Sequence, residues 1–298
     1  MKVYIHLGLH KTASTFLQKI FFIKYAEESG YINIRKDFPE FIDYILNCND
    51  LEFDEKKAKK LFFHKIEGLE NTKIKITFSD EQFCGSPWDN AKDRKRSFDR
   101  LNELFPSAKY ILVFRNQEDM TESLYLQYIK TGGSANWMKF SNHTKHPLEF
   151  SRKSYLNYGD YVEYIISKVG KQRIFCLYYE DMINNPLNFL SEMANIIDFE
   201  IDKDINKIVN RRENKSLTPC LSILFILLNK IFSSIRQPFN LLPRRSRTYI
   251  MKLIIMIFPY KNKGFLDRKE LRTFCEEPKR KNHVLAKISN RDLSKMGY

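Results

Sequence analysis

The chain has 298 residues, 43% hydrophobic and 14% aromatic, with a net charge of +14. This suffices for one large domain or two small ones, and the charge favours anionic partners: nucleotide, nucleic acid, acidic glycan or membrane surface. The five scattered cysteines form no C-x-x-C pair, which excludes a zinc motif or a disulfide framework and suits a reducing compartment. No apolar run reaches the ~18 residues of a membrane span. Only five apolar-leaning residues separate Lys2 from Gly8, too few for a signal peptide, so the expected location is cytoplasmic.

In chain order, Val3-Tyr4-Ile5-His6-Leu7 reads as a strand, Gly8 to Thr15 as a tight turn, and 12–26 as a helix. A strand, a turn carrying a lysine and hydroxyls, and a helix N-terminus together suit a phosphate. The ATP-type loop G-x-x-x-x-G-K-[ST] fails, because no glycine precedes Lys11. Gly30-Tyr31 marks a turn, and 38–48 and 54–68 read as helices. The alternating, β-branched stretch 73–78 is a second strand, followed at once by Ser79-Asp80-Glu81. Residues 90–105 are helix-like, 109–114 a third strand, and 118–130 a helix that Arg115-Asn116-Gln117-Glu118-Asp119 introduces. The polar stretch 132–153 suggests a loop over a site. Helix 155–169, strand 173–178 and helix 186–197 follow.

Strands alternating with helices predict an α/β fold: a P-loop-like parallel sheet flanked by helices. Ligands of such sheets bind beyond the carboxyl ends of the strands. The clusters 8–15, 79–81 and 115–123 all fall there, which places them on one rim. Arg115 at a strand end and Ser123 in the next helix could grip one phosphate from two sides.

These segments resemble the sulfotransferases that use 3′-phosphoadenosine-5′-phosphosulfate (PAPS). His6-Leu7-Gly8-Leu9-His10-Lys11-Thr12-Ala13-Ser14-Thr15-Phe16-Leu17-Gln18 is similar to the 5′-phosphosulfate loop of bacterial members, H-x-G-x-x-K-T-G-T-[ST]-x-L-Q. Arg115-Asn116-Gln117-Glu118-Asp119 with Ser123 is similar to their 3′-phosphate segment, R-N-P-x-D followed by serine. Tyr178-Tyr179-Glu180-Asp181-Met182 resembles a stretch of the cytosolic members. Arg212-Glu213-Asn214-Lys215-Ser216-Leu217 is similar to the later R-x-N-x-S segment that closes over the nucleotide. Two departures stand out: Ala13 replaces the usual glycine, and Gln117 the usual proline.

The resemblance implies sulfuryl transfer from PAPS to a hydroxyl, with no metal. It assigns the 5′-phosphosulfate to Gly8, Lys11, Thr12, Ala13, Ser14 and Thr15. The 3′-phosphate falls to Arg115 and Ser123, with Arg212, Asn214 and Ser216 adding to it. Lys11 would stabilise the leaving oxygen, and Glu81 would act as the base, with His10 its rival. His6 alternates with core residues and reads as a packed, hydrogen-bonded histidine. The resemblance and the basic surface suggest a glycan or glycolipid acceptor, with no nucleic acid as partner. A P-loop kinase is the alternative enzyme, separable by magnesium dependence. A nonenzymatic membrane or nucleic-acid binder is the alternative outside enzymes, and it would tolerate loss of Lys11.

Residues 1–217 form the expected α/β core and 218–298 a helical C-terminal region packed on it or lidding it. The apolar runs 221–228 and 249–258 sit in a strongly basic setting: from Arg236 onward there are 16 Lys/Arg against 5 Asp/Glu. Core helices with a solvated basic face are the simplest reading, and a hairpin docked on anionic membrane is the sharper one. Residues 268–288 read as a last amphipathic helix.

Overall fold

Five parallel strands make one sheet in the order β2-β3-β1-β4-β5. They are β1 (Lys2–His6), β2 (Tyr31–Ile32), β3 (Lys75–Ser79), β4 (Lys109–Phe114) and β5 (Ile174–Tyr178). The structure is a computed structural model that describes residues 1–66, 75–142, 153–209, 222, 226 and 265–298. β1 is central: its register runs from Lys2 opposite Lys75 to His6 opposite Ser79, and on its other side Tyr4 pairs with Lys109 and His6 with Ile111. The carboxyl ends of β3, β1 and β4 are therefore neighbours, and the three polar clusters share one rim as expected.

Period-two alternation gives the sheet two buried faces. Val3, Ile5, Tyr110, Leu112 and Phe114 enter one core, and Tyr4, Ile111 and Val113 the other. The second core is closed by helix α1 (14–24) and by α7 (Pro186–Ile197), through Phe16, Leu17, Phe21, Phe22, Phe189, Leu190 and Met193. The first face carries α2 (Pro39–Asn47), α3 (Glu55–Phe63), α4 (Arg94–Leu104), α5 (Gln117–Lys130) and α6 (Tyr158–Val169). It also carries α8 (Arg268–Lys279) and α9 (Asn282–Ser289). Burial of Leu271, Cys275 and Leu285 ties these last helices into the main core.

Local chemistry sets the helix ends. Asp54 caps α3 by accepting from the Lys56 and Lys57 amides, and Asp267 caps α8 through Lys269 and Glu270. Pro39 opens α2, where its missing N–H costs nothing. Some expected bounds shift. The first helix starts at Ser14 and contains a π-helical turn, Leu17–Phe21, before ending near Tyr25. The stretch 90–105 becomes helical only from Arg94, after a short 3-10 turn, Pro87–Asp89. The expected helix 268–288 is two helices, with Pro278 in the last turn of the first. The turn at Gly30-Tyr31 leads straight into edge strand β2, whose two residues are too short for a sequence pattern to reveal.

The domain boundary at 217/218 lies outside the described residues, as do the apolar runs apart from Ser222 and Ile226. Among the described residues, no helix is long and apolar enough to cross a membrane. Nor do any three His, Cys, Asp or Glu side chains group closely enough to hold a metal ion.

Candidate active site

The loop leaving β1 turns through left-handed residues. Gly8, Lys11 and Ala13 have φ of 49°, 65° and 63°. Left-handed residues interleaved with others are how backbone N–H groups come to line a nest for an anion. At Gly8 a side chain would also press on the His6 ring, 3.1 Å away. Ala13 sits just ahead of α1 with no side-chain cap, so the amides of the first turn stay open toward the loop. Its left-handed conformation costs an alanine ~1–2 kcal/mol that a glycine avoids. Thr12 is buried, and its hydroxyl donates to the Leu9 carbonyl at 2.6 Å. That proton is committed to closing the loop, while Ser14 and Thr15 lie in the first turn of α1.

Lys11 extends toward α5, where its Nζ donates to Gln127 Oε1 at 3.2 Å. Burial, then the charges of Lys130 and Arg115, push the Lys11 ammonium down to about 8. A lysine held beside two other cations is the electrostatic mark of a site built for an anion. Ser123, Gln127 and Lys130 are spaced i, i+4, i+7 and so share one face of α5.

Arg115 follows β4 directly. Its Nη1 donates to the Lys11 carbonyl at 3.1 Å, and its guanidinium lies 4.8 Å from the centre of the Tyr179 ring. Its Nε is buried, with no hydrogen-bond partner among the described residues. Leaving such a donor unpaired costs roughly 1–3 kcal/mol, which an oxygen of a bound anion would offset. Ser123 is half-buried two turns into α5.

On the β3 side, Asp80 accepts from the Gln82 amide at 2.8 Å and opens the turn Glu81–Cys84. Burial raises the Asp80 carboxyl, while Arg35, 2.5 Å away, opposes this. Glu81 therefore projects from a fixed turn. Gln18 Nε2 on α1 donates to Glu81 Oε2 and to Ser79 Oγ, each at 3.1 Å. Ser79 Oγ lies 2.7 Å from His6 Nδ1. His6 is the packed, hydrogen-bonded histidine that its strand position suggests, and burial holds it neutral, at about 4. His10 is fixed by Tyr155, whose hydroxyl accepts from the His10 amide at 2.8 Å and lies 3.2 Å from its Nδ1. Burial lowers the His10 imidazole and the nearby Glu81 charge opposes this.

Thus Gly8, His10, Lys11, Thr12, Ala13, Ser14, Thr15, Glu81, Arg115 and Ser123 lie along one rim. Arg212, Asn214 and Ser216 lie outside the described residues. Gln18, Gln127, Lys130 and Tyr155 went unassigned in the sequence. Gln127 and Lys130 could have been found from the helical spacing after Ser123. Tyr155 could not, since it reaches His10 from 145 positions away. The stretch from Tyr178 to Asp181 serves as structure: the Tyr178 hydroxyl meets Ser289 Oγ at 3.0 Å, and Asp181 pairs with Arg291 through two bonds of 2.6 and 2.8 Å.

The model of the sulfotransferase family matches residues 27–203, a span that includes Glu81, Arg115 and Ser123. The chain belongs to the sulfotransferase family. Among solved structures it resembles a sulfotransferase from Alicyclobacillus acidocaldarius, at 12% identity and a TM-score of 0.55, over 100% of this chain and 99% of that one. That likeness extends the shared fold across the whole sulfotransferase. Looser likenesses include the sulfotransferase domain from the curacin biosynthetic pathway, at 13% identity, a TM-score of 0.44, and 93% and 96% of the two chains. A mouse sulfotransferase complexed with PAP follows, at 12% identity, a TM-score of 0.34, and 92% and 88%. A search of curated proteins finds no match.

Proposed function

We propose that this sulfotransferase moves the sulfuryl group of PAPS to a hydroxyl of a carbohydrate, glycolipid or similar acceptor. The observation that carries the reading is the joined pair Lys11 and Arg115. Two cations are linked through the Lys11 carbonyl, and the buried Nε of Arg115 has no partner among the described residues. An anion with two phosphate positions would satisfy both ends. On this reading the loop amides from Gly8 to Thr15 receive the 5′-phosphosulfate, and Arg115 with Ser123 the 3′-phosphate. Arg212, Asn214 and Ser216 add to the nucleotide site by family resemblance.

Transfer is an in-line displacement. The acceptor oxygen forms a bond to sulfur while the bond from sulfur to the bridging phosphate oxygen breaks, releasing 3′-phosphoadenosine-5′-phosphate (PAP). Lys11 stabilises the negative charge growing on that oxygen. Glu81, steadied by Gln18, takes the acceptor proton. No metal is assigned a role. The net charge of +14 and the basic C-terminal region support a polyanionic or membrane-borne glycan acceptor.

The test is calorimetric titration with PAP in magnesium-free buffer, for the wild type and for Arg115→Ala. Micromolar binding is expected, weakened by ~2–5 kcal/mol in the variant, because removing one partner leaves a buried charge unpaired. No binding by the wild type would overturn the reading in favour of a basic binding protein. Glu81→Gln should keep PAP affinity and slow transfer to a glycan panel by ~10²-fold or more. Unchanged transfer would move the base role to His10.

A further inference from the structure

We propose that the C-terminal segment 268–298 is a clamp that positions the Arg115 segment for the 3′-phosphate, with Tyr298 as its end point. This inference rests on the nucleotide reading above and adds a dependence on distant residues that the reading does not contain.

Each of the four residues after Arg115 is held by this one downstream segment. Asn116 Nδ2 donates to the carbonyls of Met296 and Gly297 at 2.9 and 2.5 Å. Gln117 and Asn282 exchange two amide bonds of 2.8 and 3.1 Å, both side chains being buried. Glu118 pairs with Lys279 at 2.7 Å and Asp119 with Arg268 at 2.6 Å. Residues 116 to 119 therefore meet 296–297, 282, 279 and 268, in reversed order. The pair with Asn282 also accounts for Gln117: a proline there would offer no amide to match it.

The peptide joining Arg115 to Asn116 is pinned at both polar atoms. Its carbonyl accepts from the Tyr158 hydroxyl at 3.0 Å, and its N–H donates to Glu180 Oε1 at 2.8 Å. The second oxygen of Glu180 accepts from the Tyr298 hydroxyl at 2.9 Å. Tyr298 thus orients the carboxylate that orients the peptide carrying Arg115. Its ring also packs edge-on against Tyr178, with centroids 5.3 Å apart. Gly297 is needed for this approach: it has φ of 80°, and a Cβ there would lie 2.4 Å from Asn116 Nδ2. Arg291 anchors the segment to Asp181, the residue that follows Glu180.

Arg115 extends from this pinned peptide, so loosening the clamp acts chiefly on the 3′-phosphate. Tyr298, Lys279 and Asn282 are positioning residues that act through Arg115 without touching ligand. Linkage makes the coupling reciprocal: a bound 3′-phosphate must tighten the clamp as much as the clamp tightens the phosphate.

The experiment compares PAP with adenosine 5′-phosphate, which lacks only the 3′-phosphate. Both are titrated into the full chain carrying Tyr298→Phe, Lys279→Met or Gly297→Ala. The expected result is a PAP Kd raised about tenfold, with the Kd of adenosine 5′-phosphate within about twofold of wild type. PAP, and not adenosine 5′-phosphate, should slow amide exchange across 291–298. Equal weakening of both nucleotides, or no weakening of either, would overturn the clamp. A wild type that fails to prefer PAP over adenosine 5′-phosphate would overturn the nucleotide reading with it. A wild type that prefers PAP while the variants match it removes the clamp and leaves that reading standing.

Discussion

The two segments proposed to hold phosphate in this sulfotransferase are built differently. The loop from Gly8 to Thr15 takes its shape mainly from its own left-handed residues and a Thr12 hydroxyl bonded three positions back, with Tyr155 and Arg115 bracing it at His10 and Lys11. The Arg115 segment is held from outside, by partners up to 181 positions downstream. A loop shaped mainly by its own backbone can carry the reacting group on a short frame. A segment gripped by distant helices can have its grip altered without touching the reaction centre. Perturbing the first region should alter chemistry with little change in fold, and perturbing the second should alter stability and affinity together.

The largest effect is expected from Lys11→Ala. If Lys11 stabilises the leaving oxygen, kcat should fall by ~10²–10³-fold, the size seen when one transition-state donor is removed. The fold should not suffer, because the variant deletes a half-buried cation that faces Lys130 and Arg115. A thermal midpoint at or above wild type, with turnover lost, fits a loop built for chemistry. A large drop in the midpoint would show that Lys11 is structural.

Asn116→Ala makes the opposite demand. It removes the cap on the Glu118 and Asp119 amides and both bonds to the C-terminal carbonyls. A lost cap costs ~1 kcal/mol, and each neutral bond about the same, so urea unfolding should show a loss of ~2–3 kcal/mol. A loss below ~0.5 kcal/mol would mean that the downstream grip contributes little.

The same contrast decides what the sequence could reveal. Strands β1, β3, β4 and β5, the rim and the loop were legible, because period-two apolar runs and a lysine among hydroxyls are local signals. The placement of Arg115 at a strand end and of Ser123 in the next helix was legible from the same kind of local pattern. The Asn282–Gln117 pair, the Tyr155 hydroxyl on His10 and the Tyr298–Glu180 bond were not. Each joins residues more than a hundred positions apart, and no residue pattern announces such a pairing. The amphipathic run 268–288 reads as one helix, and the structure breaks it just after Pro278. The role of Ala13 lay between the two: its departure from glycine was visible, but its left-handed φ was not.

The titration of Lys11 sharpens the loop side further. Its ammonium is held at about 8, below its ordinary 10.5, by burial and two neighbouring cations. The unfolded chain therefore holds that proton more tightly, and stability should rise with pH between about 8 and 10.5. A bound anion favours the charged form, so PAP affinity should be full below pH 8 and fall above it. The decline should be at most about tenfold per pH unit, and Lys11→Arg should flatten it. Affinity that stays level from pH 7 to 9.5 would separate Lys11 from the anion.

The smallest effect comes from the backbone itself. Ala13 has φ of 63°, where glycine is at ease and alanine is strained. Ala13→Gly relieves ~1–2 kcal/mol of strain but gives the unfolded chain more freedom, leaving a net gain of ~0.5–1 kcal/mol. A thermal midpoint raised by ~2 °C would register it. PAP affinity should hold, because the loop already has the conformation that glycine prefers. Its counterpart in the other region has the reverse sign: Gly297→Ala adds a methyl 2.4 Å from Asn116 Nδ2 at φ of 80°. One methyl group removed from the loop should stabilise without touching function, and one added at the clamp should cost both stability and nucleotide. If Ala13→Gly instead lowered the midpoint, the alanine would be making contacts that outweigh its strain, and the loop would depend on more than its own backbone.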